Sequence, residues 1–219
     1  MNDIQLMLSD EVMAYYENEY DTIQASIILN NQSTFLESEL IGRELQKYIP
    51  KNSKIMDIGS GSCQWFKFIA ENVSEYKAID SSKVLLLKAK WKYGGKIKLI
   101  HCDIFEDNII SKIVGNSEII LLSFFLSHFS DYTVISLLKN LAFYQKPIII
   151  IDSIQHPHRI KFKGLKLIDR KISGGNIAKI PKRYFRVEEI INFSIQSAQS
   201  NSFLLKGEHW FLSILSPQK

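Results

Sequence analysis

The segment Lys54-Ile55-Met56-Asp57-Ile58-Gly59-Ser60-Gly61-Ser62-Cys63 is a short apolar run, then a turn with two glycines, then the start of an amphipathic stretch. That order reads as a strand, a tight turn and a helix. Four more apolar runs follow, at residues 76–80, 96–101, 118–123 and 147–152. Between the runs the helical period returns at about 63–72, 82–92, 105–114 and 131–143. Ile119-Ile120-Leu121-Leu122 and Ile148-Ile149-Ile150-Ile151 are continuous apolar runs, as strands covered on both faces require. Residues 54–153 therefore read as an α/β core with a parallel sheet between two helical layers.

Working outward, residues 35–48 carry a helical apolar period that Pro50 ends. The first thirty residues are acidic and tyrosine-rich and predict one or two short helices. After Asp152 the alternation stops; a helix at about 187–199 precedes two strands, 202–205 and 209–215, joined at Lys206-Gly207 as a hairpin. The whole chain reads as a single domain: an N-terminal helical lid (1–34), the α/β core (35–153) and a C-terminal section (154–219).

With 219 residues, net charge +4 and 46% hydrophobic content, the composition excludes a disordered, collagen-like or coiled-coil chain. Two cysteines, Cys63 and Cys102, are too few for a disulfide framework and lack zinc spacing, so a reducing, cytoplasmic setting is expected. Residues 1–10 lack the basic and apolar segments of a signal peptide. The most apolar stretch, 119–129, is far short of a span and contains Ser123, Ser127 and His128, so no membrane partner is expected. His156-Pro157-His158 reads as a surface turn, and no metal site is expected.

Spacing within the glycine turn discriminates among ligands. A dinucleotide fingerprint needs a third glycine where Gln64 stands, and a phosphate loop needs a Gly-Lys-Ser/Thr ending that is absent. Asp57, two residues before the first glycine, puts negative charge beside the turn and disfavours a phosphate. Asp80 closes the second strand 21 residues after Gly59, where a carboxylate accepts from ribose hydroxyls, or alternatively caps the next helix. Asp103 follows the third strand on the same carboxyl edge. An ordinary βα turn explains any one of these features; together, three carboxylates around a glycine turn fit a nucleoside that carries a cation.

These residues give the chain its resemblance to the class I S-adenosylmethionine-dependent methyltransferases. Asp57-Ile58-Gly59-Ser60-Gly61-Ser62 resembles the first motif of that family, whose usual third glycine is Cys63 here. The resemblance implies a Rossmann-like fold with a mostly parallel seven-stranded sheet and a C-terminal antiparallel hairpin. It implies S-adenosyl-L-methionine as cofactor and S-adenosyl-L-homocysteine as product. Gly59, Ser60 and Gly61 would line the methionine and ribose part, Asp80 with Ser81 the ribose hydroxyls, Asp103-Ile104 the adenine, and Ser123 the sulfonium. Residues 15–21, Phe124-Phe125-Leu126-Ser127-His128 and the ending at 203–212 are similar to a group of compact bacterial methyltransferases. In that group an N-terminal tyrosine helix folds over the cofactor, which would bring Tyr16 and Tyr20 to it.

Methyl transfer from a sulfonium requires alignment and exclusion of water, and a base only when the acceptor arrives protonated. His128, with an ordinary pKa of about 6.5, is the candidate base; positioning and plain structure are its alternatives. Phe124 and Phe125 either wall the acceptor pocket or belong to the core. The expected activity is methylation of an O or N atom of a small molecule in bacterial specialised metabolism. An RNA or peptide acceptor, or a binding protein without turnover, are the alternatives. Residues 159–186 hold ten Lys/Arg against Asp169 alone, a net +9, which leaves the rest of the chain, 17 basic against 22 acidic, at −5. That stretch reads either as a solvated face or as attraction for an anionic or carrier-bound acceptor. Nucleic acid is disfavoured, because no aromatic pattern interleaves with the basic residues.

Overall fold

Each of the five apolar runs forms a strand in the computed structural model, which describes residues 3–20, 32–155, 164–171 and 177–217. The chain opens with helices α1 (Asp3–Met7) and α2 (Asp10–Ala14), the latter continued by a π-helical turn, Tyr15–Tyr20. Helix α3 (Gln32–Lys47) precedes strand β1 (Ser53–Ile58), and helix α4 (Phe66–Ile69) leads to β2 (Val73–Asp80). Helix α5 (Lys83–Tyr93), β3 (Lys98–His101), α6 (Ile109–Val114), β4 (Ile119–Ser123), α7 (Asp131–Ala142) and β5 (Ile148–Ser153) complete the alternating part. Strands β6 (Lys166–Lys171) and β7 (Ile177–Lys182), helix α8 (Val187–Gln196), β8 (Gln199–Lys206) and β9 (Trp210–Pro217) follow.

The main sheet has the order β3-β2-β1-β4-β5-β9-β8. Strands β1 to β5 run parallel, with Ile58 beside both Ile79 and Leu122. Strand β9 runs antiparallel to β5 and β8 antiparallel to β9, so the expected C-terminal hairpin forms the sheet's far edge. Side chains alternate between the two faces. Ile55, Leu121 and Ile149 pack with Ile41, Leu45 and Phe66, whereas Met56, Ile120 and Ile150 pack with Leu137 and Leu141. Both faces are covered, which is why the central strands carry no polar alternation.

Three departures from the sequence reading have local causes. Helix α4 starts at Phe66 rather than 63, because Cys63 takes a left-handed backbone (φ +58°) and delays the first helical turn. Helix α6 starts at Ile109 rather than 105, after left-handed Asn108 (φ +60°). A second sheet, the antiparallel pair β6–β7, was not anticipated. Its signal is an inward Ala178 and Ile180 alternating with exposed Ile177 and Lys179, too short to stand out in a lysine-rich stretch. The tract at 156–158 lies outside the described residues.

Candidate functional site

The parallel strands end together on one edge, and the glycine turn is built there from backbone bonds. Gly59 N–H and Ser60 N–H both donate to the Ile79 carbonyl, at 2.9 and 3.1 Å, tying the β1 turn to β2. Gly59 has φ +67°, and a Cβ there would stand 2.2 Å from the Phe125 ring, so both backbone and neighbour require glycine. In front of Gly61 the space is open. Cys63, at the position of the third glycine, adopts a backbone that costs an L-residue about 1–2 kcal/mol. Its side chain is wholly buried among Trp65, Phe66 and Tyr76.

The three carboxylates take different places. Asp80 accepts the Gly61 N–H on one oxygen and the Ser82 N–H on the other, each at 2.8 Å. Burial raises its pKa, and those amide bonds oppose the rise. Asp103 accepts the Phe105 N–H at 2.9 Å. Asp57 differs from the expectation. It is 1% exposed and lies behind the turn, where Tyr76 O–H donates to Oδ2 and Oδ1 has no hydrogen-bond partner. Burial pushes its carboxyl up to about 7.

Above the strand ends lies a cavity of about 560 Å³, within the range of small-molecule sites. Tyr16, Gly59, Ser60, Gly61, Asp80, Ser81, Asp103, Ile104, Ser123, Phe124, Phe125 and His128 all line it; Asp57 does not, and the Tyr20 side chain lies outside the described residues. Ile4, Met7, Leu8 and Met13 of the N-terminal segment form its roof, and Trp65 and Phe68 part of its wall, none of them singled out by sequence. Trp65 Nε1–H donates to Ser123 Oγ at 2.7 Å, and its ring stacks on Phe124 at 6.2 Å. Phe124 itself has φ +51°, a strained backbone for an aromatic residue and one typical of functional sites.

The roof is fastened by contacts invisible to local motif reading. Ser82 Oγ donates to Glu17 at 2.7 Å, and Lys88 donates to the Glu17 carbonyl at 2.8 Å. Val12 and Tyr15 pack on Ala178 and Ile180 of β7. The His128 ring lies 2.8 Å from the Pro181 carbonyl through Nδ1, and a carbonyl can only accept, so Nδ1 carries the proton. The Tyr16 hydroxyl lies 3.2 Å from Nε2. Burial, with the Lys182 charge adding to it, holds His128 down at about 3. Burial thus keeps the imidazole in its neutral form, with Nε2, beside the Tyr16 hydroxyl, as its accepting nitrogen.

Beneath His128 sits a buried polar cluster. Asp152 at the end of β5 accepts the Ser127 and Ser153 N–H groups at 2.9 and 2.7 Å, and Lys182 Nζ lies 3.9 Å from it. Lys182 also donates to Ser127 Oγ at 2.6 Å. The next residue, Arg183, is fully buried against Asp131 and Glu189 and over the ring of Phe185. Two cations of the basic stretch are thus internal, and among the described residues none of that stretch lines the cavity. The lysines that do are Lys67, Lys88 and Lys92, from α4 and α5.

No protein-family model matches the chain, and no curated protein does. Among solved structures, DhpI in complex with SAH superposes with a TM-score of 0.70 at 13% identity, over 98% of this chain and 96% of that one. A magnesium protoporphyrin IX methyltransferase from Synechocystis PCC 6803 with bound SAM gives 0.62 at 12% identity, over 100% and 98%. An S-adenosylmethionine-dependent methyltransferase from Clostridium acetobutylicum ATCC 824 gives 0.56 at 11% identity, over 83% and 91%. Strand order, the glycine turn at β1 and the antiparallel far edge thus belong to one architecture: the chain has the fold of the class I S-adenosylmethionine-dependent methyltransferases.

Proposed function

We propose that the protein transfers a methyl group from S-adenosylmethionine to an oxygen or nitrogen of a small-molecule acceptor, in bacterial specialised metabolism. The observation that carries this reading is the Asp80 carboxylate, fixed by the Gly61 amide on the wall of a cavity in a methyltransferase fold. The residues fit the cofactor: open space stands in front of Gly61, and each Asp80 oxygen keeps a lone pair beyond its amide bond. Asp80 with Ser81 would accept from the ribose hydroxyls, Asp103 and Ile104 would frame the adenine, and Gly59 to Gly61 would follow the methionine part. When bound, the cofactor supplies a methyl group already activated by a sulfonium charge.

The chain's own residues then have to align the acceptor and keep water out, and alignment alone is worth roughly 7–11 kcal/mol. Ser123, Phe124 and Phe125 form the wall where β4 ends, with Phe124 held by Trp65. Residues 3–20 serve as a lid, with Tyr16 resting against neutral His128; residues 21–31 of the lid expected over 1–34 lie outside the described residues. His128 is a positioning residue in this reading: it holds the lid and takes no proton. The lining lysines and the apolar aromatic wall favour an apolar acceptor that bears an anionic group.

Turnover tests the reading. Purified protein is incubated with methyl-labelled S-adenosylmethionine and a set of small carboxylic acids, phenols and amines, and S-adenosylhomocysteine is measured. The expected result is acceptor-dependent release of S-adenosylhomocysteine. Tight binding of S-adenosylmethionine with no release from any acceptor would instead favour a binding protein.

A further inference from the structure

Helix α5 buries one apolar face against the core and exposes a second, narrower apolar stripe, which an ordinary surface helix does not. Leu85, Leu86 and Ala89 face the sheet and are buried. On the opposite side Val84 and Leu87 are each 40% exposed and Trp91 is 85% exposed. At 3.6 residues per turn, positions 84, 87 and 91 fall on one stripe along the helix. The same geometry sets Lys83 and Lys90 along one flank of that stripe and Lys92 along the other, where Lys88 is already engaged by the Glu17 carbonyl. Between residues 81 and 102 there are six lysines, at 83, 88, 90, 92, 96 and 98, and not one Asp or Glu.

We propose that this face of α5 rests on the surface of an anionic lipid bilayer. An apolar stripe with a tryptophan, flanked on both sides by lysines, is the arrangement by which a helix lies in a membrane interface. The apolar side chains enter the boundary below the headgroups, while the lysine stems lie along it and carry their ammonium groups back to the phosphates. Other occupants fit less well. A second copy of the chain, docked about a two-fold axis, would set these lysines against themselves. Nucleic acid would find one aromatic ring and two aliphatic side chains, no platform for successive bases. A protein partner would have to supply an acidic groove shaped to this ridge, which a fluid interface need not.

The contact is peripheral and therefore has no spanning signature; no helix among the described residues is long and apolar enough to cross a membrane. Its place in the fold gives it a consequence. Leu85, Lys88 and Lys92 of the same helix line the cavity, so docking brings the cavity wall beside the lipid and suits an acceptor that partitions there.

Intrinsic fluorescence of the full chain provides the test. Of the three tryptophans, Trp65 and Trp210 are 3% and 2% exposed, so a change of emission on adding vesicles reports Trp91. Phosphatidylcholine vesicles containing phosphatidylglycerol are expected to shift the emission to the blue and to carry the protein down on sedimentation. Pure phosphatidylcholine should do neither, and high salt should reverse both effects. The Lys83→Gln/Lys90→Gln pair, outside the cavity, should weaken co-sedimentation by about 25-fold, from roughly fivefold per lysine. Trp91→Ala should abolish the shift with unchanged circular dichroism. The proposal is overturned by three results: no response to anionic vesicles, equal response to both vesicle types, or a response to polyuridylic acid or an acidic protein in place of vesicles. None of these readouts uses methyl transfer, so failure here leaves the proposed activity to its own test.

Discussion

The floor and the roof of the cavity are held by different kinds of bond. On the floor, side-chain carboxylates are fixed by backbone amides, Asp80 by Gly61 and Ser82 and Asp103 by Phe105. The roof is held by side chains that meet across the chain: Tyr16 meets His128 over 112 residues, and in the support beneath His128 Lys182 meets Ser127 over 55. The floor therefore follows from where strands end and turns begin. The roof depends on a buried charge pair and a neutral imidazole, so its integrity varies with pH.

Substitutions should separate the two. The largest expected effect is on the floor: Gly59→Ala forces a left-handed alanine and drives its Cβ into Phe125, so S-adenosylhomocysteine binding should be lost in calorimetry. Next is the roof. Lys182→Met leaves Asp152 buried without its cation and should cost roughly 3–5 kcal/mol in urea unfolding. Burial already raises the Asp152 pKa, and losing Lys182 raises it further, so the deficit should grow from pH 5 to pH 8. A pH-independent deficit would show that the pair is not charged.

Asp57 gives a smaller effect with its own pH window. Its folded pKa of about 7 lies above the ordinary 3.8, so the folded state binds its proton more tightly. Its contribution to stability is fully present below about pH 4 and is lost as pH rises through about 7. Asp57→Asn should therefore match the parent at pH 4 and exceed it in melting temperature at pH 8. The smallest change is expected for Cys63→Gly. Relief of the left-handed backbone and loss of a buried thiol nearly cancel, leaving a difference within about 1 kcal/mol.

The same contrast explains what could be read from sequence. The strands and the carboxylates at their ends follow from apolar runs and short spacings, and Asp80 and Asp103 line the cavity where those spacings put them. Asp57 was misplaced because alternation along a strand does not say whether a polar residue faces a ligand or a tyrosine beneath it, here Tyr76. The roof was legible only in part. Tyr16 is named through the family resemblance and His128 from its place after the fourth strand, but their contact and the support from Pro181 and Lys182 arise from packing of distant segments. The basic stretch divides for a related reason: Lys166, Arg170 and Lys179 are exposed, as a solvated face requires, whereas composition cannot tell that the fold turns Lys182 and Arg183 inward against acids.

In the proposed function the floor binds a sulfonium nucleoside through Asp80. Calorimetry of S-adenosylhomocysteine and of NAD against the parent chain and Asp80→Asn tests it most directly. One molecule of S-adenosylhomocysteine should bind per chain, NAD should not bind, and Asp80→Asn should weaken the first by about 10- to 100-fold, the worth of hydrogen bonds to a charged group. Binding of NAD in place of S-adenosylhomocysteine, or equal affinity in the parent and Asp80→Asn, would contradict it.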